Sequence, residues 1–163
     1  MNIPKTRDGV MYFRGLKTGA VSLEAALTDA RMHATRQVAE MVQTKANVDY
    51  ENARVEYGLA RDDSDIGNVI RDGIIMLSDA VVQGIKEKES YWEKVQEVTH
   101  DGVRYFYNFY MLVSLSEEDY KRIALEVIER QKEEARARNN TKAEEFLDKF
   151  RQEIQERSLF GED

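Results

Sequence analysis

Val103 to Leu115 reads VRYFYNFYMLVSL, and this run decides the architecture. Val103, Tyr105, Tyr107, Phe109, Met111, Val113 and Leu115 fall on one parity, which is the two-residue period of a strand with one buried face. The other parity, Arg104, Phe106, Asn108, Tyr110, Leu112 and Ser114, is mixed, so the second face of the sheet is expected to be partly covered. Just upstream, Thr99-His100-Asp101-Gly102 carries an Asp-Gly turn signal. Val81 to Val98 before it mixes Val, Ile, Tyr and Trp with alternating Lys and Glu, with Gly84 as a bulge or bend. The expectation is a hairpin of two long strands.

Further upstream, Val10 to Leu16 is rich in β-formers and closes at Gly15 and Gly19, which predicts a short strand and a turn. Ser22 stands as an N-cap, and Leu23, Ala26, Leu27, Ala30, Ala34, Val38, Met41 and Val42 recur at helical steps, predicting a long helix to about Asn47. Its stripe is rich in alanine, so a backbone can approach it closely. Asp49 to Arg61 lacks a clear stripe and reads as a frayed extension or irregular connection. Asp62, Asp63, Ser64 and Asp65 then offer N-cap side chains for a weaker helix ending near Ala80.

Downstream, Ser116-Glu117-Glu118-Asp119 starts another helix with Tyr120, Ile123, Ala124, Val127 and Ile128 on its apolar side. The stripe fades between Glu129 and Asn140. It restarts in a new phase after Thr141-x-x-Glu144, at Ala143, Phe146, Leu147, Phe150 and Ile154, so two helices are expected, broken near Asn139-Asn140. A helix of about 25 residues and a strand of about 12 both reach about 40 Å. The predicted fold is therefore α+β: one long helix packed on a three-stranded antiparallel sheet in βαββ order, with additional C-terminal helices. The predicted division is 10–128 for the βαββ domain and 129–163 for a charged helical extension.

Composition narrows the chemistry. The chain has 163 residues, 24 basic and 31 acidic, one Pro and no Cys, for a formal charge of −7. Without a concentrated basic patch, nucleic acid is not an expected partner. Without Cys there is no thiolate nucleophile and no Cys-based metal site. No apolar run is long enough to span a bilayer. Met1 to Gly9 lacks the apolar core of a signal peptide, which points to the cytoplasm unless a leader has been trimmed.

The run Gly15 to Val42, with Ala26, Ala30 and Ala34 ahead of Val38-Ala39-Glu40-Met41-Val42, resembles the opening of the LPP twenty-type bacterial lipoprotein family. So do Ser78-Asp79-Ala80-Val81-Val82-Gln83-Gly84-Ile85, Tyr91-Trp92, Tyr105-Phe106-Tyr107 and Leu112-Val113-Ser114-Leu115, and together the resemblance covers about residues 10 to 125. It implies a dodecin-like βαββ fold, a non-enzymatic role, and residence in the periplasm or outer membrane through a lipidated N-terminal Cys. This chain has no such Cys and adds the charged extension Arg130 to Asp163. Membrane attachment is therefore expected only through an anchor that this chain does not contain.

The functional expectation is a structural or protein-interaction module, self-associating as a homo-oligomer or binding an envelope protein. The alternatives are a small-molecule carrier using the aromatic sheet face and an unrecognised hydrolase. Trp92, Phe106 and Tyr110 form the expected interface or ligand face, because aromatic residues are enriched at both; the plainer alternative packs them under Ile123, Val127 or Phe146. Phe146, Leu147, Phe150 and Ile154 are the expected partner helix. His33 and His100 read as structural or solvated. Asp62, Asp63 and Asp65 read as N-capping rather than calcium-binding, lacking the loop spacing and the distal Glu. No G-x-S-x-G, Walker A or G-x-G-x-x-G motif occurs, so no catalytic residue, metal ligand or cofactor is assigned. Asn139-Asn140-Thr141 matches a glycosylation sequon that a helix break explains equally well.

Overall fold

A computed structural model describes residues 5–59, 64–157 and 160. Among the described residues the fold is α+β, with four helices and a four-stranded antiparallel sheet. In chain order the elements are β1 (Lys5–Arg7), β2 (Val10–Ala20), α1 (Leu23–Glu56), α2 (Ser64–Gly84), β3 (Lys86–Thr99), β4 (Gly102–Ser116), α3 (Glu117–Ala137) and α4 (Thr141–Glu156). The sheet order is β1-β2-β4-β3.

The expected three strands become four because Asp8-Gly9 closes a hairpin. Both residues have positive φ, 51° and 70°, and Arg7 pairs with Val10. That is the two-residue turn whose twist suits paired strands, and Asp-Gly is its strongest short signal.

Two compact units emerge: Met1–Val38 with Ile85–Leu115, and Ala39–Gly84 with Ser116–Asp163. They replace the expected division at residue 128. The physical reason lies in α1, which does not stop near Asn47 but continues to Glu56. Its first part serves the sheet, and its second part is a wall of the helical unit.

In the sheet unit, Phe109, Met111, Val113 and Leu115 are buried on the parity predicted for the core, with Phe13 of β2 beside them, whereas Val103 and Tyr105 of that parity are exposed. Gly15 is the point of closest approach. A Cβ there would lie 2.1 Å from the Ala30 carbonyl oxygen and 2.9 Å from the Ala34 Cβ, so the alanine stripe and a glycine are needed together. Ser22 caps α1 as expected, accepting from the Ala25 N–H at 3.1 Å.

In the helical unit, Tyr50 is the hub. Its hydroxyl donates to Gln131 Oε1 at 2.9 Å, and Gln131 Nε2 donates to the Val69 carbonyl at 2.7 Å, so α1, α3 and α2 share one buried polar chain. The Phe150 ring closes the fourth side at 4.2 Å between centroids. A Cβ on Gly73 would sit 2.3 Å from the Tyr50 hydroxyl, which is why α2 carries glycine there.

Helix α2 also runs past Ala80 to Gly84, and β3 starts at Lys86. Val81-Val82 reads as strand by β-branching, but Val81 is fully buried on the apolar side of α2, and packing overrides propensity. Gly84 therefore ends a helix instead of bulging a strand. The Ser116 cap of α3 forms as expected, accepting from Asp119 N–H at 3.0 Å, whereas α4 is capped one residue before the Thr141 of the expected capping box, by Asn140, which accepts from Ala143 N–H at 3.2 Å. Asn139, at φ 53°, makes the break.

Candidate functional site

Strand pairing sorts the aromatic residues onto two faces. In an antiparallel pair, directly opposed residues share a face. Phe106 opposes Val95 and Tyr110 opposes Tyr91, whereas Trp92 opposes Phe109. Phe106 and Tyr110 therefore lie together on the face away from the alanine stripe, and Trp92 lies on the other. The expected set of Trp92, Phe106 and Tyr110 is divided, and Tyr91 takes the place assigned to Trp92. A one-residue irregularity between Glu87 and Glu89 sets this register; upstream of it, Glu87 opposes Val113 and reaches Arg31 of α1 at 3.6 Å. No parity argument from the sequence locates such a bulge.

On the outer face a cleft of about 450 Å³ runs across β2, β4 and β3. Leu16 and Leu112 supply apolar surface, Tyr91 and Tyr110 form an aromatic wall, and Arg14 and Glu89 bring opposite charges. The two tyrosine rings stack at 6.0 Å between centroids with 29° between planes. Both rings are exposed, 61% for Tyr91 and 38% for Tyr110. The face is braced beside the cleft, where Asn108 accepts from the Gly19 N–H at 2.9 Å and donates to Glu93 at 2.8 Å. Such a surface can stack a flat ring, bury hydrocarbon and pair with charge of either sign.

The other face carries a second aromatic set beyond the buried core. Trp92 and Tyr107 approach at 6.3 Å, and the Lys94 ammonium lies 4.5 Å from the Tyr105 ring centroid. Val98, Val103 and Tyr105, toward the β3–β4 turn, are exposed.

The stripe expected to be a partner helix is occupied by this chain itself. Phe146, Leu147, Phe150 and Ile154 are all buried in the helical unit, with Leu147 wholly inaccessible, because Tyr50 of α1 and helix α3 pack against α4. Ile123, Val127 and Phe146 are likewise core residues of that unit. The fading stripe after Glu129 is a ladder of ion pairs between antiparallel helices. Glu129 meets Arg151 at 3.0 Å, Lys132 meets Asp148, and Arg136 meets Glu144 at 2.6 Å. Lys132 is buried, so its charge is tolerated only because Asp148 answers it. These are steps of three and four on both helices, a pattern visible in the sequence once the helices are known to pair.

The helical unit also holds a carboxyl group sequence reasoning did not single out. Burial and a hydrogen bond to Glu56 raise the Glu153 carboxyl above its ordinary range, against the nearby Arg157 guanidinium at 3.0 Å. Burial also raises Asp49, which keeps Lys45 at 3.6 Å. Among the described residues no cluster of three or more His, Asp or Glu side chains is placed to hold a metal ion. Asp62 and Asp63 lie outside the described residues, and Asp65 stands in the first turn of α2. His100 is exposed at the β3–β4 turn, and His33 lies on α1 against β2. No helix among the described residues is long and apolar enough to cross a membrane. Comparison with protein-family models, with curated proteins and with solved structures gives no match, so the functional argument rests on the geometry above.

Proposed function

We propose that this chain is a non-catalytic binding module that works through the outer face of its sheet, as a carrier of a small flat ligand. One observation carries the reading: the cleft of about 450 Å³ joins exposed stacked tyrosines to Leu16 and Leu112 with charges at its margin. Pockets for small ligands are typically of this size, largely apolar with few polar groups. The test is titration with the uncharged fluorescent probe N-phenyl-1-naphthylamine. Saturable binding that Leu112→Glu lowers at least tenfold, with an unchanged circular dichroism spectrum, supports the carrier. Binding indifferent to Leu112→Glu and to Tyr110→Ala overturns it. Trp92 is no reporter for this cleft, since it lies on the opposite face.

A second reading, a protein-interaction module that self-associates, draws on the exposed Trp92, Val98, Val103 and Tyr105 near the end of the β3–β4 hairpin. Native mass spectrometry showing an oligomer that Val103→Ser with Tyr105→Ser dissociates favours it. The resemblance of residues 10 to 125 to the lipoprotein family is the ground for proposing a place in the periplasm or outer membrane. Fractionation of cells expressing the native gene decides that point.

A further inference from the structure

Among the described residues, β1 pairs with β2 only from Val10 to Tyr12, and no described strand neighbours this edge of β2 beyond that point. Two side chains of α1, one turn apart, occupy it instead. His33 Nδ1 accepts from the Leu16 backbone N–H at 3.1 Å, and Gln37 Nε2 donates to the Arg14 carbonyl at 2.8 Å. The same Gln37 nitrogen stands 3.0 Å from His33 Nε2. Open strand edges are usually covered in some way, and here the cover is a histidine and a glutamine.

The arrangement constrains the imidazole. A backbone N–H can only donate, so Nδ1 must present its lone pair, and the ring must be neutral with its proton on Nε2. That proton faces the Gln37 NH2 group, which is itself a donor engaged with the Arg14 carbonyl, so Nε2–H finds no acceptor there. A second proton would set N–H against N–H at Leu16 as well. The charges around the ring add to the difficulty. Lys17, Asp29 and Arg36 share a hollow of about 380 Å³ with His33, Leu16 and Met32, and Asp29 is engaged with Lys17 at 3.4 Å. The cations thus outnumber the one carboxylate facing His33.

We propose that His33 is a pH-sensitive clasp on the open edge of β2, closed when the ring is neutral and released when it is protonated. The proposal rests on the binding reading above, because Arg14 and Leu16, the two residues whose backbone the clasp holds, also line the cleft. Acidification then loosens one side of the cleft and releases its occupant. His100, exposed at the turn, makes no such contact and serves as the control.

The experiment follows the Leu16 amide by hydrogen exchange in the intact chain at pH 7.5 and pH 5.5, corrected for intrinsic exchange, beside N-phenyl-1-naphthylamine titrations at both values. The expected result is a protection factor about tenfold lower at pH 5.5 and weaker probe binding there. His33→Gln, which keeps an acceptor but does not titrate, should abolish both pH dependences, while His100→Gln should leave both intact. Leu16 protection unchanged between the two pH values, or a pH dependence that survives His33→Gln, overturns the clasp. Should His33→Gln fail to fold, the imidazole nitrogen shifts of the unsubstituted chain decide: a neutral Nε2–H ring at pH 7.5 supports the clasp, and a doubly protonated one overturns it. Pronounced pH dependence of Leu16 without any probe binding keeps the clasp and overturns the cleft. Equal probe binding at both pH values, with Leu16 protection lost at pH 5.5, overturns release of the occupant.

Discussion

The sheet unit and the helical unit solve the same problem with opposite materials. The sheet unit has ten basic and eight acidic residues and closes through a glycine set against an alanine stripe. The helical unit has fourteen basic and twenty-three acidic residues and closes around a buried tyrosine, a glutamine and a ladder of ion pairs. Exposed aromatic side chains among the described residues belong to the sheet unit; in the helical unit Tyr50, Tyr120, Phe146, Phe150 and Phe160 lie inside and Tyr57 is half-buried. The lesson is that the unit with the simpler core leaves aromatic side chains at its surface. The unit with the richer aromatic core carries the chain's excess of acidic residues.

The sharpest way to break this comparison is to end the chain at Asn139. If α4 is core, as the burial of Phe146 and Phe150 indicates, the truncated helical unit loses cooperative unfolding, since even one buried Phe is worth about 3–5 kcal/mol. A truncated chain with an unchanged denaturant midpoint would return α4 to the role of a detachable partner helix. Next comes Gly15→Ala, which drives a methyl group into the Ala30 carbonyl. A loss of about 3 kcal/mol by chemical denaturation is expected, and a neutral result would mean that sheet and helix can part at no cost.

Tyr50→Phe should cost about 1–2 kcal/mol, because it leaves the buried Gln131 oxygen without a donor. A double-mutant cycle with Gln131→Leu checks that the loss belongs to that pair. The smallest effect concerns pH. The folded chain holds the Glu153 proton more tightly than the unfolded chain, so that stabilisation is fully present below the ordinary carboxylate value and lost as pH rises through the raised one. Glu153→Gln is therefore expected to match the parent at pH 4 and to exceed it in stability at pH 7. Equal stability at both values would place the Glu153 charge in solvent.

Much of the sheet unit was legible. The parity of Phe109 to Leu115, the hairpin turn near Asp101, the alanine stripe and the caps at Ser22 and Ser116 are local signals that the structure follows, whereas Val103 and Tyr105 of the same parity are exposed at the turn end of the hairpin. Asp8-Gly9 was equally legible and was passed over, at the cost of β1. The helical unit was harder, because the buried positions of α1 beyond Asn47 have no Leu or Ile to announce them. Ala46, Tyr50 and Ala53 are nearly inaccessible, and Arg54 is buried beside them. The candidate cleft was half legible: Phe106 and Tyr110 were placed on the right face, whereas Tyr91, Leu16, Arg14 and Glu89 reach it only through pairing.

By itself the sequence determined the α+β class, the hairpin, the core face of β4 and the starts of α1, α3 and α4, because period and capping are written within a few residues of where they act. Only the tertiary structure decided that α1 would serve two units, that Val81 would belong to a helix, that α4 would be core and that Trp92 would face away from Tyr110. Each of these depends on which distant segment meets which, and on a one-residue shift of register near Lys88, a choice made by the packing of the whole chain.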